Sequence, residues 1–437
     1  MKKLISIIIL YCIILTSLLV VSCDTPKETA PKSSRLQSTF FDGSNVFVSE
    51  FEGSTKIQCS LSKYADTYSN YFVGWSVNGE LVEEIEAEIE INSNAVITPV
   101  FDIKYTQTIP ETLDLNKSIE NVSGYSDFTV RATPSFIFPG LSNKERTTIQ
   151  GVAYYEKYNW VFLSAYSFAS PLIKNSVIYI LDMNQKDANG NNGLLIKTAL
   201  LFNMDGTDYT GHVGGIVVTE DSLYITRSNG LYRIDLERFT APSDLLFLSF
   251  DEDISLSVTS AFCFYRDNVL WVGEFEYEEE NYKTEDSHKT TIDGEKYYSW
   301  IQGFKLNDKY SFSYSKNNIA IPDYLLLAGN KIQGFALTED SVVLSSSYGR
   351  RNDSKWLYYN LPDWDKATRT TEIEGKNVPT INLTSPKELT MPPMSEDMAI
   401  YTENGKEYLL FVTESSSYKY FNGNSLNPTS ICWKIDT

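Results

Sequence analysis

Histidine is nearly missing from this chain: His212 and His288 are the two among 437 residues. A multi-imidazole metal centre is therefore excluded, and neither a metal site nor a cofactor is expected. Basic residues are in deficit, 37 against 57 acids for a formal net charge of −20. A phosphate backbone selects basic faces, so nucleic acid is not an expected partner. Cysteine is sparse too. Cys12 lies in the leading apolar run and Cys23 just after it, which leaves Cys59, Cys263 and Cys432. That odd number, with Cys263 and Cys432 inside apolar strand-like runs, points to buried inert thiols and not to a disulfide framework. Present in excess are aromatics, 29 Tyr and 23 Phe, a bias toward strands.

Lys2 and Lys3 precede an apolar run from Leu4 to Val21, the pattern of a secretory signal. The run ends Val20-Val21-Ser22-Cys23, which resembles the lipobox of bacterial lipoproteins. The resemblance implies cleavage before Cys23, acylation of its thiol and anchoring to a lipid bilayer in the cell envelope. The expected organisation is a signal at 1–22, a flexible Pro-containing tether at 23–38, a small β module at 39–104, a connector at 105–147 and a repeat region at 148–437. In the connector, Tyr125 to Phe138 has the composition of an edge strand interrupted by Pro134 and could close the repeat region against 431–435.

Within 39–104, short alternating strands carry Tyr71-x-Val73-Gly74-Trp75-x-x-Asn78-Gly79-Glu80 and Ile97-Thr98-Pro99-Val100-Phe101. These elements resemble a divergent internalin-B-type B-repeat, which implies a β-grasp-like spacer or adhesion module with no catalytic residues.

From residue 148 one phrase recurs five times: a small residue, an apolar strand, a turn and a second strand. Gly151-Val152-Ala153 leads to Trp160–Ser164. Gly215-Ile216-Val217 leads through Glu220-Asp221-Ser222 to Leu223–Thr226, and Ala261-Phe262-Cys263 to Val269–Val272. Gly334-Phe335-Ala336 leads through Glu339-Asp340-Ser341 to Val342–Ser345, and Met398-Ala399-Ile400 to Tyr408–Val412. Third strands follow at 177–182, 230–235, 300–304, 356–359 and 431–435. The phrase suits the four-stranded blade of a β-propeller. The fold class expected is therefore all-β, with five blades, or six if the connector or the 277–297 insertion hides one.

The region also resembles secreted bacterial propellers of the SMP-30/gluconolactonase and NHL types, on Gln150-Gly151, Gly211–Gly215, Lys331–Gly334, Ser345–Arg350, Met391–Glu396 and Phe411–Ser415. Gluconolactonases hold a divalent cation through a Glu–Asn–Asn–Asp set. Here only Glu396 and Asp397 sit comparably, and the Asn partners are missing.

First strands line the channel of a propeller, so polar groups at their starts ring one mouth. Gln150, His212, Gln333, Ser395 and Glu396 stand there; Tyr348, Arg350 and Glu414 follow second strands and are expected at the opposite end or on loops. Such groups either satisfy one another and channel waters or converge on a ligand, and a small polar molecule, a glycan or a protein partner would suit them. The alternative is a hydrolase or lyase acting on a glycan or lactone through Glu396 and its neighbours, although adjacent strand residues Glu396 and Asp397 should face opposite ways.

Overall fold

The tetrapeptide Thr-Glu-Asp-Ser occurs at 219–222 and 338–341 and makes the same turn both times in the computed structural model. The Thr219 and Thr338 hydroxyls accept from the amides of Ser222 (3.3 Å) and Ser341 (3.1 Å). The amides of Thr219 and Thr338 close the turn onto the carbonyls of Ser222 and Ser341. Each turn joins a first strand to a second, so the repeated sequence is a repeated local structure.

The structure describes residues 35–37, 46–49, 55–59, 72–83, 87–91, 95–101, 106–107, 113–170, 174–241, 244–307, 311–421 and 423–437. The signal segment and Cys23 lie outside them. Two compact units are present. The first takes in residues up to Lys104 with Ala199–Asp208 and Glu237–Ser249, and the second takes in the remainder.

In the first unit, Arg35–Gln37, Val46–Ser49, Ala95–Phe101, Phe72–Val77 and Glu80–Val82 lie side by side in that order in an antiparallel sheet. Thr55–Cys59 pairs with Ala87–Ile91. Ile89 is buried and Glu90 exposed, the alternation of a strand with one packed face. Arg35–Gln37, assigned from sequence to the tether, is paired in this sheet through Gln37 and Phe47.

The second unit is a five-bladed propeller. Blade 1 has Thr147–Tyr155, Trp160–Ser167, Val177–Lys186 and, of the strand Asn192–Phe202, the part up to Thr198, in order from the centre outward. Blade 2 has Ile216–Val218, Ser222–Arg227, Gly230–Asp235 and Glu252–Ser255. Blade 3 has Ser260–Arg266, Val269–Glu274, Ser299–Lys305 and Tyr324–Ala328. Blade 4 has Ile332–Leu337, Ser341–Ser346, Ser354–Asn360 and Lys387–Met391. Blade 5 has Ser395–Glu403, Lys406–Thr413, Ile431–Asp436 and, from far earlier in the chain, Ala132–Ile137.

That last strand joins the two ends of the repeat region, with Ile137 opposite Ile431 and Ala132 opposite Ile435. It abolishes the open edge that a linear array of blades would leave. Ser126–Thr129, read from sequence as part of the strand, is instead a short helix that seats Phe128 against Phe411 and Trp433. A second helix, Leu115–Val122, is capped by the Asp114 side chain accepting from the Lys117 amide and has no counterpart in the sequence reading. The 277–297 insertion hides no sixth blade. It forms two single-turn helices and the hairpin Thr290–Ile292/Glu295–Tyr297.

Blades pack through large apolar side chains. Trp271 of blade 3 lies 5.4 Å from Phe335 of blade 4, and Trp356 of blade 4 lies 5.3 Å from Phe411 of blade 5. Each fully buried ring stabilises by about 1.5–3 kcal/mol. Near the axis the backbones themselves touch. A Cβ at Gly215 would fall 2.6 Å from Phe262 Cα, and one at Gly334 2.6 Å from the Glu396 carbonyl oxygen. The glycines opening the phrases of blades 2 and 4 are thus a packing requirement. Cys263 and Cys432 are buried free thiols, held well above the ordinary thiol range by burial.

One device invisible to pattern reading recurs at the entry to the first strands. Arg146, Lys331 and Met394 each have positive φ. The Arg146 carbonyl accepts from the amide of Phe168, that of Lys331 from Ser347 and that of Met394 from Glu414. Val213, just before the first strand of blade 2, has φ 50°, a strained conformation for a β-branched residue.

Candidate functional site

One mouth of the channel opens into a cavity of about 840 Å³, within the range of small-molecule sites. Gln150, His212, Gln333, Tyr348, Arg350, Glu396 and Glu414 all line it. Of the two places expected for Tyr348, Arg350 and Glu414, the opposite end is corrected: they lie on loops after second strands, at this same mouth. First and second strands are antiparallel, so the start of one lies beside the end of the other: Ser395 is opposite Thr413, and Thr148 opposite Tyr166. Groups before first strands and after second strands share a mouth for that reason.

Ser395 is the one candidate placed elsewhere. It is fully buried in the wall between blades. Its hydroxyl meets Ser345 Oγ at 3.0 Å and accepts from Trp356 Nε1 at 3.2 Å, while its amide donates to Ser354 Oγ at 3.1 Å. These bonds leave it a structural role.

Two amide–carboxyl pairs form the floor. Gln150 Nε2 donates to Glu414 Oε1 at 2.5 Å, and Gln333 Nε2 reaches Glu396 Oε1 at 3.5 Å. Burial pushes the Glu414 carboxyl up to about 7, against the Gln150 bond, the Lys419 cation and a bond from Tyr420. Burial, then the neighbouring Glu414 and Asp397 charges, hold Glu396 well above the carboxylate range. Like charges this close cannot all ionise, so the floor retains protons near neutral pH.

Asp397 does not point away from the axis as simple alternation requires. The register slips between Ser395 and Met398, and the bulge turns both carboxyls inward. Glu396 lines the cavity, whereas Asp397 lies deeper. Its Oδ2 accepts from the amides of Val152 (3.4 Å) and Ile216 (3.3 Å), and its buried Oδ1 has no hydrogen-bond partner. Burial raises its pKa well above the ordinary value.

Aromatic walls flank the floor. On one side Tyr348 packs with Tyr277 at 4.5 Å and, more loosely, with Phe275 and Tyr282 at 6.4 Å. On the other, His212 lies 4.5 Å from the Tyr166 ring, whose hydroxyl accepts from Lys419 Nζ at 3.0 Å. The imidazole faces the cavity yet is ringed by protein atoms; that crowding and the Lys419 charge push it down to about 4, so it is neutral at pH 7. His288 is remote from the cavity lining. Its Nδ1 is 3.0 Å from Glu274, which also accepts from the Trp300 amide at 3.0 Å, and its ring stacks on Trp300. That buried pair fixes the insertion bearing Phe275 and Tyr282.

Tyr209, Tyr282, Lys283 and Tyr420 line the cavity as well and were missed from sequence. A usable signal existed in the long connections between second and third strands of blades 3, 4 and 5, which all emerge at this mouth. Among the described residues no cluster of three or more metal-ligating side chains occurs. The run Asp187–Gly193 is a turn in which Asp187 Oδ1 accepts from the amides of Asn189 and Asn191, both at 2.8 Å.

No family model matches the chain, and no curated protein matches it. Among solved structures it is similar to the GH43_1 enzyme from Xanthomonas citri complexed with xylose, at 10% identity and a TM-score of 0.38, over 72% of this chain and 91% of that one. It is also similar to Myxococcus xanthus glutaminyl cyclase, at 9% identity and a TM-score of 0.30, over 70% and 93%. A glucose dehydrogenase is similar at 9% identity and a TM-score of 0.34, over 68% and 84%. Likeness at this level decides nothing about ligand or reaction; strand order alone establishes the propeller.

Proposed function

We propose that this is a lipid-anchored envelope protein whose propeller binds a small, hydroxyl-rich ligand, such as a short stretch of glycan, in the cavity at one channel mouth. The observation that carries the binding reading is the convergence there of Gln150–Glu414 and Gln333–Glu396 between aromatic walls. Amides and protonated carboxyls both donate and accept, which matches sugar hydroxyls. Exposed aromatic faces supply apolar area for the C–H side of a sugar ring. Anchoring rests on Val20–Cys23, and two or more acyl chains would make it stable. The test is calorimetry of oligosaccharides with the wild-type protein and Gln333→Ala. Binding that falls about tenfold or more in the variant supports the site, and undiminished affinity removes it.

A hydrolytic reading has one observation in its favour. Glu396 and Glu414 are neighbouring buried carboxyls, both with raised pKa, the electrostatic situation of an acid–base pair. Release of reducing ends from a bound oligosaccharide, abolished in Glu396→Gln, would establish turnover over binding alone.

A further inference from the structure

We infer that the ligand of this cavity is anionic, a carboxylated sugar of the uronic acid class whose carboxylate meets Arg350 while its hydroxyls reach the floor; this rests on the binding reading above. The chain carries a large excess of acid, and three arginines elsewhere in the propeller are taken up by that excess. Arg227 pairs with Asp253, Arg233 with Asp235 and Glu252, and Arg266 with Glu407. Arg350 lines the cavity and has no ion pair or side-chain hydrogen bond among the described residues. Lys283, on the same rim, is alike in this respect.

Arg350 is also held in place. Its carbonyl accepts from the Leu426 amide at 2.8 Å. A Cβ at Gly423 would stand 2.4 Å from its Nη1, so the glycine makes the room that the guanidinium occupies. Gly349, immediately before it, has φ 85°, a conformation that suits glycine and sets the direction of the loop. A guanidinium positioned by backbone and left unpaired in an acid-rich protein suits bidentate capture of a carboxylate.

The acids nearby do not cancel it. Burial raises the carboxyls of both Glu396 and Glu414, the latter to about 7, which reduces their negative charge near neutrality. Glu280 is engaged with the Tyr348 hydroxyl. Arg227 also lines the cavity but is spent on Asp253 and the Ser228 carbonyl. The rim is thus cationic and the floor only partly ionised.

The experiment titrates the full chain with oligogalacturonate, its methyl ester and the matching neutral oligogalactoside. The acid form is expected to bind at least tenfold tighter than its ester, with the preference weakening as salt rises. Arg350→Gln should abolish the preference for acid over ester. Gly423→Ala, which displaces the guanidinium without removing it, should reduce the preference too, and serves if Arg350→Gln does not fold. Equal affinity for acid and ester overturns the anionic assignment and leaves the glycan site standing. Binding of none of the three overturns both.

Discussion

The Asp397 carboxyl of blade 5 accepts hydrogen bonds from the amides of Val152 in blade 1 and Ile216 in blade 2. One side chain therefore ties three blades at the axis. The bonds are long, 3.4 and 3.3 Å, and a protonated carboxyl accepts them through its carbonyl oxygen. Asn, equally neutral, can do the same. Asp397→Asn is expected to keep wild-type stability at pH 5 and to equal or exceed it at pH 8, whereas Asp397→Ala should lose about 1–3 kcal/mol. Urea denaturation at both pH values checks this; a large loss in the Asn variant at pH 8 would mean that the charge itself is needed.

Stability should fall as pH rises across the weakly acidic range. Glu414 titrates near 4.5 when unperturbed and near 7 in the folded chain. Between those values the folded state binds more protons than the unfolded state, so the slope of stability with pH is negative. Glu396 and Asp397 are shifted in the same direction and add to it. Glu414→Gln should flatten the curve between pH 4.5 and 7 relative to wild type, measured by chemical denaturation in half-unit steps.

The two floor glutamines should behave differently. Gln150 is 2% exposed and makes a short bond to Glu414, so Gln150→Ala should cost about 1–3 kcal/mol. Gln333 is half-buried, and its 3.5 Å contact with Glu396 is at the limit of a hydrogen bond. Gln333→Ala should change stability by less than about 0.5 kcal/mol while still weakening ligand. Equal melting losses in both variants would assign Gln333 a structural role.

Removal of the closing strand should be far worse than removal of what precedes it. A chain beginning at Tyr105 retains Ala132–Ile137 and should melt cooperatively; one beginning at Thr148 exposes the outer edge of Ile431–Asp436 and should aggregate. Within the strand, Phe136 is 1% exposed, and Phe136→Ala should cost about 3–5 kcal/mol. Light scattering and differential scanning calorimetry distinguish these cases.

Cys23→Ala should leave the protein without fatty-acid label and with its leader uncleaved. Metabolic labelling and detergent partitioning measure both, and label retained in the variant would reject acylation at that position.

The blades were legible because burial on both faces writes each inner strand as a short apolar run, and because the Thr-Glu-Asp-Ser turn repeats. Gln150, Gln333 and Glu396 could be found by their place in the opening residues of first strands, and His212 by its place just before one. What failed to show was anything that breaks a period. The bulge at Ser395–Met398 reverses the facing of Asp397 with no change in composition. The positive-φ residues Arg146, Val213, Lys331 and Met394 share no chemistry. Tyr420 sits on a four-residue helix, Tyr418–Phe421, too short for a helical repeat. For Tyr348, Arg350 and Glu414 position after a second strand left two places open, the opposite end or a loop, and the antiparallel polarity of each hairpin selects loops at this mouth.

The blade 3 sheet does not stop at its fourth strand. Between the third and fourth strands of blade 4 the chain leaves as the hairpin Arg369–Ile373/Lys376–Asn382, and Lys376–Asn382 runs parallel to Tyr324–Ala328, with Leu326 opposite Ile381. The ring is consequently not made of five equivalent petals. Blades 3 and 4 are laced together by chain that belongs to one and hydrogen-bonds to the other, so parting them means breaking a ladder as well as an apolar seam. The arc carrying Phe275, Tyr282, Tyr348 and Arg350 is the side of the mouth backed by that ladder.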